Sequence, residues 1–254
     1  MFDYKIHILK LWFSLYDKTR EYIGQEPPYV DPKTQNWTAD FELHCNSILT
    51  ELNAYLEKHQ LSSYFNTSMV NQPNTWKTIS LKWWGIEFKK QQKHFPRTAA
   101  LLKKYPEIVS LSFNQLSPGG RILPHCGDTN AIYRCHFGLD IPAPLPDCGF
   151  SVKGEKQSWE NGKWLIFMDA FEHEAWNLTE KNRIILVLDT VRQEYTSKKN
   201  KVLSVVITSL FLQKRAEKFK FLQNSPQWII STLAYLLRPF AFSAIKMVNL
   251  FRVY

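Results

Sequence analysis

The sequence predicts a mainly β protein with flanking helices, in which the strands form a double-stranded β-helix of the jelly-roll type. Downstream of residue 78, several short runs of strand-forming residues are separated by Gly, Pro and Asn, which is typical of this architecture. The run from Arg183 to Asp189 is apolar on both faces, as expected for a strand inside a sandwich. A length of 254 residues and a hydrophobic content of 44% suffice for one such core with helical additions.

Three segments are predicted: an N-terminal amphipathic helix and linker over residues 1–28, the double-stranded β-helix over residues 29–196, and a basic, apolar, helical extension over residues 197–254. Apolar residues recur at helical spacing in residues 9–16, so we expect this first helix to lie on the domain. Lys10 interrupts the apolar run, and no small-residue cleavage site follows. We therefore predict neither a membrane span nor a signal peptide there.

Two further helices are predicted before the main strands. Apolar residues recur every three or four positions over residues 39–58, after the N-cap candidate Thr38. Residues 60–78 are polar and rich in turn formers, which predicts a loop. Pro96 begins a short helix that ends before Pro106.

A strand with two different faces is predicted over residues 107–116. Val109, Leu111 and Phe113 alternate with Ser110, Ser112 and Asn114. Because successive side chains of a strand point to opposite faces, the apolar set belongs in the core and the polar set is expected to line a cavity.

Two histidines, His125 and His173, are the candidate metal ligands. Imidazole binds divalent iron, copper, nickel and zinc, and a non-heme Fe(II) oxygenase usually adds one carboxylate. On a strand that carboxylate is expected two residues after the first histidine, and position 127 is Gly. Asp128 is adjacent and faces the other way unless the chain turns. If the chain turns there, Asp128 supplies the third ligand.

Two arginines suggest a dicarboxylate cosubstrate beside this metal. The far carboxylate of such a cosubstrate needs a fixed cation, and a guanidinium binds it with two parallel hydrogen bonds. Arg183 lies an even number of residues after His173, so a hairpin could return it to the same face. Arg134 and His136 share strand parity, which predicts that both face one cavity.

Three stretches resemble the catalytic core of the aspartyl/asparaginyl β-hydroxylase family of Fe(II)- and 2-oxoglutarate-dependent dioxygenases, namely HCGDTNAIYRCHFGL, SWENGKWLIFMDAFEHEAWN and NRIILVLD. The resemblance covers roughly residues 80–192, with FPRTAALL and LSPGGRILPH upstream, and several spaced elements in order are a specific signal. It implies the same jelly-roll fold, iron ligation by the two histidines, and water in place of the acidic ligand at the glycine. It also implies the residues that hold 2-oxoglutarate: Arg134, His136 and Arg183, with Asn114 at the far carboxylate.

The resemblance further implies an enzyme that uses O2 to hydroxylate a C–H bond, with the β-carbon of an Asp or Asn residue, or a related amino acid, as substrate. Peptide-hydroxylating members carry a second arginine two positions before the one matching Arg134, and Ile132 stands here. An acidic substrate would then need another cation, such as Arg121 or Lys153. Two alternatives stay open: a lipid acyl-chain hydroxylase of the lipid A type at a membrane surface, and a non-catalytic jelly-roll binding module.

The formal net charge of +9 predicts acidic partners or an anionic membrane surface. Nucleic acid is not predicted, because the positive charge lies mostly in the tail and linker without an interleaved stacking platform. The four cysteines lack CxxC or finger-like spacing, which predicts neither structural zinc nor disulfides and favours a reducing, cytoplasmic location.

The C-terminal extension begins with TSKKNK, a predicted solvated linker, followed by a short apolar helix or strand over residues 202–213. Two apolar segments, Trp228–Leu237 and Phe240–Phe251, are separated by Pro239, and neither has the length of a membrane span. Two interpretations are open. The segments cap the β-core or form a subunit interface, or they form a basic amphipathic anchor that holds the protein peripherally on a membrane.

Overall fold

A computed structural model describes residues 10–16 and 21–251 of the chain. The strands in this part are, in chain order, β1 (Tyr29–Val30), β2 (Ser62–Ser63), β3 (Trp76–Trp83), β4 (Ile86–Glu87), β5 (Ile108–Leu116), β6 (Arg121–His125), β7 (Ile132–Asp140), β8 (Cys148–Val152), β9 (Glu155–Gln157), β10 (Trp164–Met168), β11 (His173–Asn177) and β12 (Arg183–Val191). The helices are α1 (Thr38–Leu43), α2 (Cys45–Leu56), α3 (Lys89–Gln92), α4 (Pro96–Lys104), α5 (Lys199–Lys218), α6 (Lys220–Gln223) and α7 (Gln227–Phe251).

The strands form two antiparallel sheets. The larger has the order β1-β10-β7-β12-β5-β3-β2, with β4 paired to β3, and the smaller has the order β6-β11-β8-β9. Apolar side chains from both sheets, such as Phe150 of the smaller and Phe167 and Ile185 of the larger, share one buried cluster. The architecture confirms the predicted double-stranded β-helix, with helices around it and a helical C-terminal extension.

The outer face of the larger sheet is covered by the helices that precede it. Phe41, Ile48 and Leu52 of α1 and α2 pack in one cluster with Phe113 and Leu186 of the sheet. Both faces of this sheet are therefore buried, which explains why β12 is apolar on both sides. The helix predicted over residues 39–58 is divided into α1 and α2, because His44 leaves the helical conformation with φ −100° and ψ 11°.

The N-terminal amphipathic helix was predicted wrongly where it can be compared. Residues 10–16 contain an isolated bridge between Phe13 and Thr129, followed by a 3₁₀ turn over Ser14–Tyr16, and no α-helix. Phe13 and Leu15 are buried individually against the domain. The remainder of that predicted helix lies outside the described residues.

The C-terminal extension is more regular than predicted. The TSKKNK segment is not a linker, because a 3₁₀ helix over Gln193–Lys198 leads directly into α5. Pro239 does not divide the apolar region, since α7 continues through it. The proline is exposed, while Ala234 and Ile245 on either side of it are buried in the packed cluster. Packing on both sides of the proline therefore outweighs the lost backbone hydrogen bond.

Helix α5 lies directly on the β-core. Val202 and Val206 pack in one cluster with Trp84 of the turn after β3, and with Val109 and Ile132 of the larger sheet. The extension is thus part of the folded domain, as the core-capping interpretation expects.

Candidate active site

The two predicted metal ligands are neighbours in the smaller sheet. His125 ends β6, His173 begins β11, and the two are cross-strand partners whose ring centroids lie 4.2 Å apart. Each Nδ1 lies within hydrogen-bond distance of a backbone carbonyl two residues earlier, at 2.7 Å for Leu123 and 2.8 Å for Phe171. Because a carbonyl only accepts, both Nδ1 atoms carry the proton and both Nε2 atoms keep a free lone pair. This arrangement is typical of metal-binding imidazoles.

Both imidazoles are neutral at physiological pH. Burial lowers the pKa of His125 to about 4, and the nearby positive charge of Arg134 acts in the same direction. Burial, together with its histidine neighbour, holds the pKa of His173 well below the usual range. Neutral imidazole is the form that binds metal, so the pair needs no deprotonation to accept an ion.

The acidic group of the site comes from Asp169, which the sequence reasoning missed. A Cβ atom placed on Gly127 would lie 1.8 Å from Asp169 Oδ2, so this carboxylate occupies the volume that a side chain at position 127 would fill. Its other oxygen, Oδ1, lies 3.7 Å from His173 Nε2. Asp169 lies in the turn between β10 and β11, four residues before His173. An acidic residue in the turn before a candidate ligand was the signal available in the sequence.

Asp128 lines the same cavity, but its carboxylate is hydrogen-bonded away from the histidine pair. Its Oδ1 accepts hydrogen bonds from Ser14 at 3.3 Å, Ser209 at 3.0 Å and Gln213 at 3.4 Å. The carboxylate is therefore held by the N-terminal segment and α5. Within residues 10–16 and 21–251, no three His, Cys, Asp or Glu side chains form a complete ligand set.

Arg134 is held by two carboxylates on one side of the cavity. Its Nε and Nη2 donate to the two oxygens of Asp189 at 2.8 and 3.3 Å, and its Nη1 lies 2.8 Å from Asp169 Oδ1. Burial raises the pKa of Asp169 to about 7, although the positive charge of Arg134 opposes the shift. Arg134 thus fixes the position of Asp169 beside the histidines. It is also one of the residues that line the cavity.

Among the described residues, no carboxylate forms an ion pair with Arg183. Its side chain is 1% exposed, and its Nε and Nη1 atoms have no hydrogen-bond partner in this part of the chain. The guanidinium lies over the ring of Trp159, with Cζ 4.5 Å from the centroid, and burial lowers the pKa of Arg183 to about 10. An unpaired buried cation is energetically costly, so Arg183 marks a candidate anion site.

His136 and Asn114 lie between these two arginines. Trp159 Nε1 donates to His136 Nδ1 at 3.2 Å, which places the imidazole proton on Nε2. Burial and then the two arginines hold the pKa of His136 well below its usual range, so the ring is a neutral donor. Asn114 Oδ1 accepts a hydrogen bond from Trp76 Nε1 at 2.9 Å, and this bond fixes the orientation of the Asn114 side-chain amide.

All six predicted site residues line one cavity of about 220 Å³. Asp169 lines it as well, together with Ser110 and Ser112, as strand parity predicted. Along β12 the cavity runs from Arg183 to Asp189, a length of roughly 20 Å at about 3.3 Å per residue. The end away from Arg183 is bordered by Trp84 and, from α5, by Leu210.

The two cations suggested for an acidic substrate do not reach this cavity. Within the described residues, neither Arg121 nor Lys153 is among its lining residues, whereas Lys82 is. The ammonium of Lys153 instead lies 4.3 Å from the ring centroid of Phe171. Ile132, at the position of the second arginine, is fully buried in the apolar cluster under α5.

Comparison with known proteins adds sequence relationships to this geometry. The profile of the protein family Aspartyl/Asparaginyl beta-hydroxylase matches residues 42–193. The chain is 33% identical over 171 residues to an ornithine lipid ester-linked acyl 2-hydroxylase of Rhizobium tropici, covering 65% of this chain and 61% of the relative. It is 29% identical over 187 residues to the aspartyl/asparaginyl beta-hydroxylase of Homo sapiens, covering 70% of this chain and 24% of that protein. The chain thus spans less than two thirds of either relative.

A lower similarity exists to a solved structure, HygX from Streptomyces hygroscopicus with nickel and 2-oxoglutarate bound. The TM-score is 0.42 and the sequence identity 10%, over 58% of this chain and 79% of the other.

Proposed function

The chain belongs to the aspartyl/asparaginyl β-hydroxylase family, and from this premise we propose that it is an Fe(II)- and 2-oxoglutarate-dependent dioxygenase that hydroxylates a C–H bond. One observation carries the proposal. A cavity that contains two neutral, adjacent imidazoles also contains Arg183, a buried guanidinium that pairs with no carboxylate of the described residues. A metal site beside an unsatisfied cation fits a metal-bound dicarboxylate.

The residues fit both groups. The Nε2 atoms of His125 and His173 would hold the ferrous ion, with the carboxyl group of Asp169 beside them. Arg183 would bind the far carboxylate of 2-oxoglutarate, while Arg134 and His136 bind the near one. When bound, iron, 2-oxoglutarate and O2 supply the oxidation: one oxygen atom enters the substrate C–H bond and the other enters succinate, with release of CO2.

The protein's own contribution is positioning and charge compensation. Arg183 gains two charge-assisted hydrogen bonds that it lacks in the free protein, which selects a diacid over a monoacid. His136 contributes a neutral N–H, because its other nitrogen is occupied by Trp159. Asn114 is the cross-strand partner of Ile185, which lies two residues after Arg183 on β12. It would complete the site at the far carboxylate.

The test is release of succinate from 2-oxoglutarate in the presence of Fe(II), O2 and ascorbate, without added substrate. His125→Ala and His173→Ala are expected to lose at least about 100-fold of this turnover, since each removes a protein ligand. His59→Ala is the matched control, because that exposed imidazole lies outside the cavity. Wild-type turnover in both site variants would refute the proposal. Absence of turnover in wild-type protein that still binds 2-oxoglutarate would favour the binding-module alternative.

Two substrate classes are proposed. The family name supports the β-carbon of an Asp or Asn residue, or a related amino acid. The acyl chain of a membrane lipid is supported by the burial of Ile132 where a substrate-binding arginine would be expected. It is supported also by the relationship to a protein named as a lipid acyl hydroxylase. Mass spectrometry of cell extract incubated with enzyme, Fe(II) and 2-oxoglutarate separates them by whether peptide or lipid gains one oxygen atom.

We propose a cytoplasmic location with peripheral attachment to a membrane. All four cysteines are free, which suits a reducing compartment. Nucleic acid is not proposed as a partner. Fractionation of cells at low and high salt tests the location: a peripheral protein is released from membranes by salt, and an integral one is not.

A further inference from the structure

The outward side of α7 is apolar over the whole length of the helix. Nine of the fourteen large apolar side chains that are exposed in the described residues lie between positions 211 and 250. Six of them, on α7, recur at helical spacing and are called the docking face below: Trp228, Tyr235, Leu236, Phe240, Met247 and Leu250. Their exposures run from 57% to 73%. A soluble protein rarely leaves such a continuous apolar surface uncovered.

Helix α7 is tied to the domain at both ends. Near its start, the Gln227 side chain donates to the carbonyl of Leu15. Near its end, Asn249 Oδ1 accepts from the Glu87 N–H at 3.0 Å, and its Nδ2 donates to the Gly85 carbonyl at 2.8 Å. Among the described residues α7 is the one helix long and apolar enough to cross a membrane. These attachments instead hold it flat along the domain.

The charge of the extension selects the partner of this face. Residues 197–254 contain ten lysines and arginines and one acidic residue, which accounts for the entire formal net charge of +9. Two of these cations lie on α7 beside aromatic rings. Arg238 Cζ is 5.3 Å from the ring centroid of Tyr235, and Lys246 Nζ is 4.7 Å from that of Phe242. A second copy of the chain would bring two such cationic surfaces together, whereas an anionic bilayer complements them. Aromatic residues interleaved with cations are typical of helices at a membrane interface.

The same extension borders the cavity. Leu210 and Gln213 of α5 line it, while Phe211, between them in sequence, is 47% exposed. Phe65 lines the cavity from the other side and is 46% exposed, with Lys214 Nζ 5.6 Å from its ring centroid. An exposed apolar rim therefore connects the cavity to the surface of the extension.

We infer that the docking face binds an anionic phospholipid bilayer, with α7 parallel to the membrane, and that the cavity accepts an acyl chain of a lipid in that bilayer. The second part rests on the proposed function, and the first does not. Because α7 is fixed to the domain, docking also fixes the orientation of the cavity rim relative to the lipid surface.

Flotation of the full-length protein with vesicles tests the docking. Wild-type protein is expected to float with phosphatidylcholine vesicles that contain phosphatidylglycerol, and to be released by salt. Changing Trp228, Leu236 and Phe240 together to Ser should weaken binding by roughly 100-fold or more. The matched control changes three exposed apolar residues on the rest of the domain to Ser: Ile23, Leu43 and Leu178. This control should bind as wild type.

A second triple variant tests the charge. Arg215→Gln, Lys218→Gln and Lys246→Gln together should weaken binding to the anionic vesicles by roughly 100-fold, at about fivefold for each cation. No flotation of wild-type protein, or equal loss in the control variant, would overturn the inference. So would a wild-type dimer that the Ser variant converts to monomers without any vesicle binding by either protein.

Two further readouts separate docking from chemistry. Succinate release without substrate should be unchanged in both surface variants, because none of these residues lines the cavity. Lipid from vesicles incubated with wild-type enzyme, Fe(II) and 2-oxoglutarate should gain one oxygen on an acyl chain. Flotation with oxygen gain only on added peptide would overturn the lipid substrate and leave the dioxygenase proposal standing. Failure of succinate release would refute the dioxygenase and leave docking intact.

Discussion

Replacement of Arg183 by Met is expected to have opposite effects on the free protein and on the ligand complex. Without ligand, the guanidinium is buried beside Trp159, with its Nε and Nη1 atoms unpaired. Methionine has a similar length and no charge, so the free protein should become more stable. With 2-oxoglutarate, the same change removes the cation that we assign to the far carboxylate, so binding should weaken.

The magnitudes follow from the burial of the side chain. Lowering of the Arg183 pKa from its ordinary value to about 10 corresponds to roughly 3 kcal/mol against the charged form. Loss of the contact with Trp159 offsets part of this gain, which leaves about 1–3 kcal/mol, or roughly 2–10 °C in Tm. Removing one partner of a buried charge pair costs about 2–5 kcal/mol in binding, so Kd should rise at least roughly 30-fold.

Thermal unfolding without ligand measures the first effect. Titration of 2-oxoglutarate into the Fe(II)-loaded protein under anaerobic conditions, followed by tryptophan fluorescence, measures the second. Arg97→Met is the control, because Arg97 is exposed and lies outside the cavity, and it should change neither quantity. An Arg183→Met protein that is less stable than wild type and binds 2-oxoglutarate with unchanged Kd would show that the arginine has a structural role only.

Three other substitutions have defined outcomes. Gly127→Ala would place a methyl group 1.8 Å from a carboxylate oxygen of Asp169, so we expect a loss of about 1–3 kcal/mol in unfolding free energy and of iron retention, measured by denaturation and metal analysis. Trp159→Phe removes the indole N–H that fixes the tautomer of His136. The KM for 2-oxoglutarate should rise several-fold, while the unfolding transition stays cooperative. An unchanged KM would contradict this. Glu26→Gln weakens the buried pair with Arg192. Burial raises the pKa of Glu26, but hydrogen bonds from Arg192 and Tyr22 outweigh it and hold the pKa below the usual range of a glutamate. The pair's stabilisation, roughly 1–3 kcal/mol, is therefore present at neutral pH and lost as the pH falls through this lowered pKa, so denaturation curves of wild type and variant should converge in acid.

The fold could be predicted wherever burial follows a simple period. The alternation in β5 placed Ser110, Ser112 and Asn114 in the cavity, because a strand with one polar face has only one way to bury the other. The doubly apolar β12 likewise indicated a strand covered on both sides. The errors arose where tertiary packing overrides local signals. Pro239 reads as a helix boundary in sequence, yet α7 continues because its neighbours on the inner side are packed against the domain.

The candidate site was predictable in part. The histidine pair and the unpaired arginine follow from residue type, strand parity and the resemblance. Asp169 does not, because strand periodicity predicts a carboxylate only at a position two residues from a ligand on the same strand. The acidic group instead reaches the site from the turn before β11, and Gly127 is required because this carboxylate fills its side-chain volume. Such a relation between distant positions has no local pattern in the sequence.

The C-terminal extension forms part of the cavity wall, so its proposed membrane role has to be tested without disturbing that wall. Asp128 follows the proposed metal ligand His125 by three residues and is held by Ser209 and Gln213 of α5. Removal of residues 197–254 would therefore strip a partly buried carboxylate of its partners and open the cavity on one side. Loss of activity or of membrane binding after truncation would follow from either role. Substitutions on the outward side of α7 leave these contacts intact, so they report on the membrane interaction alone.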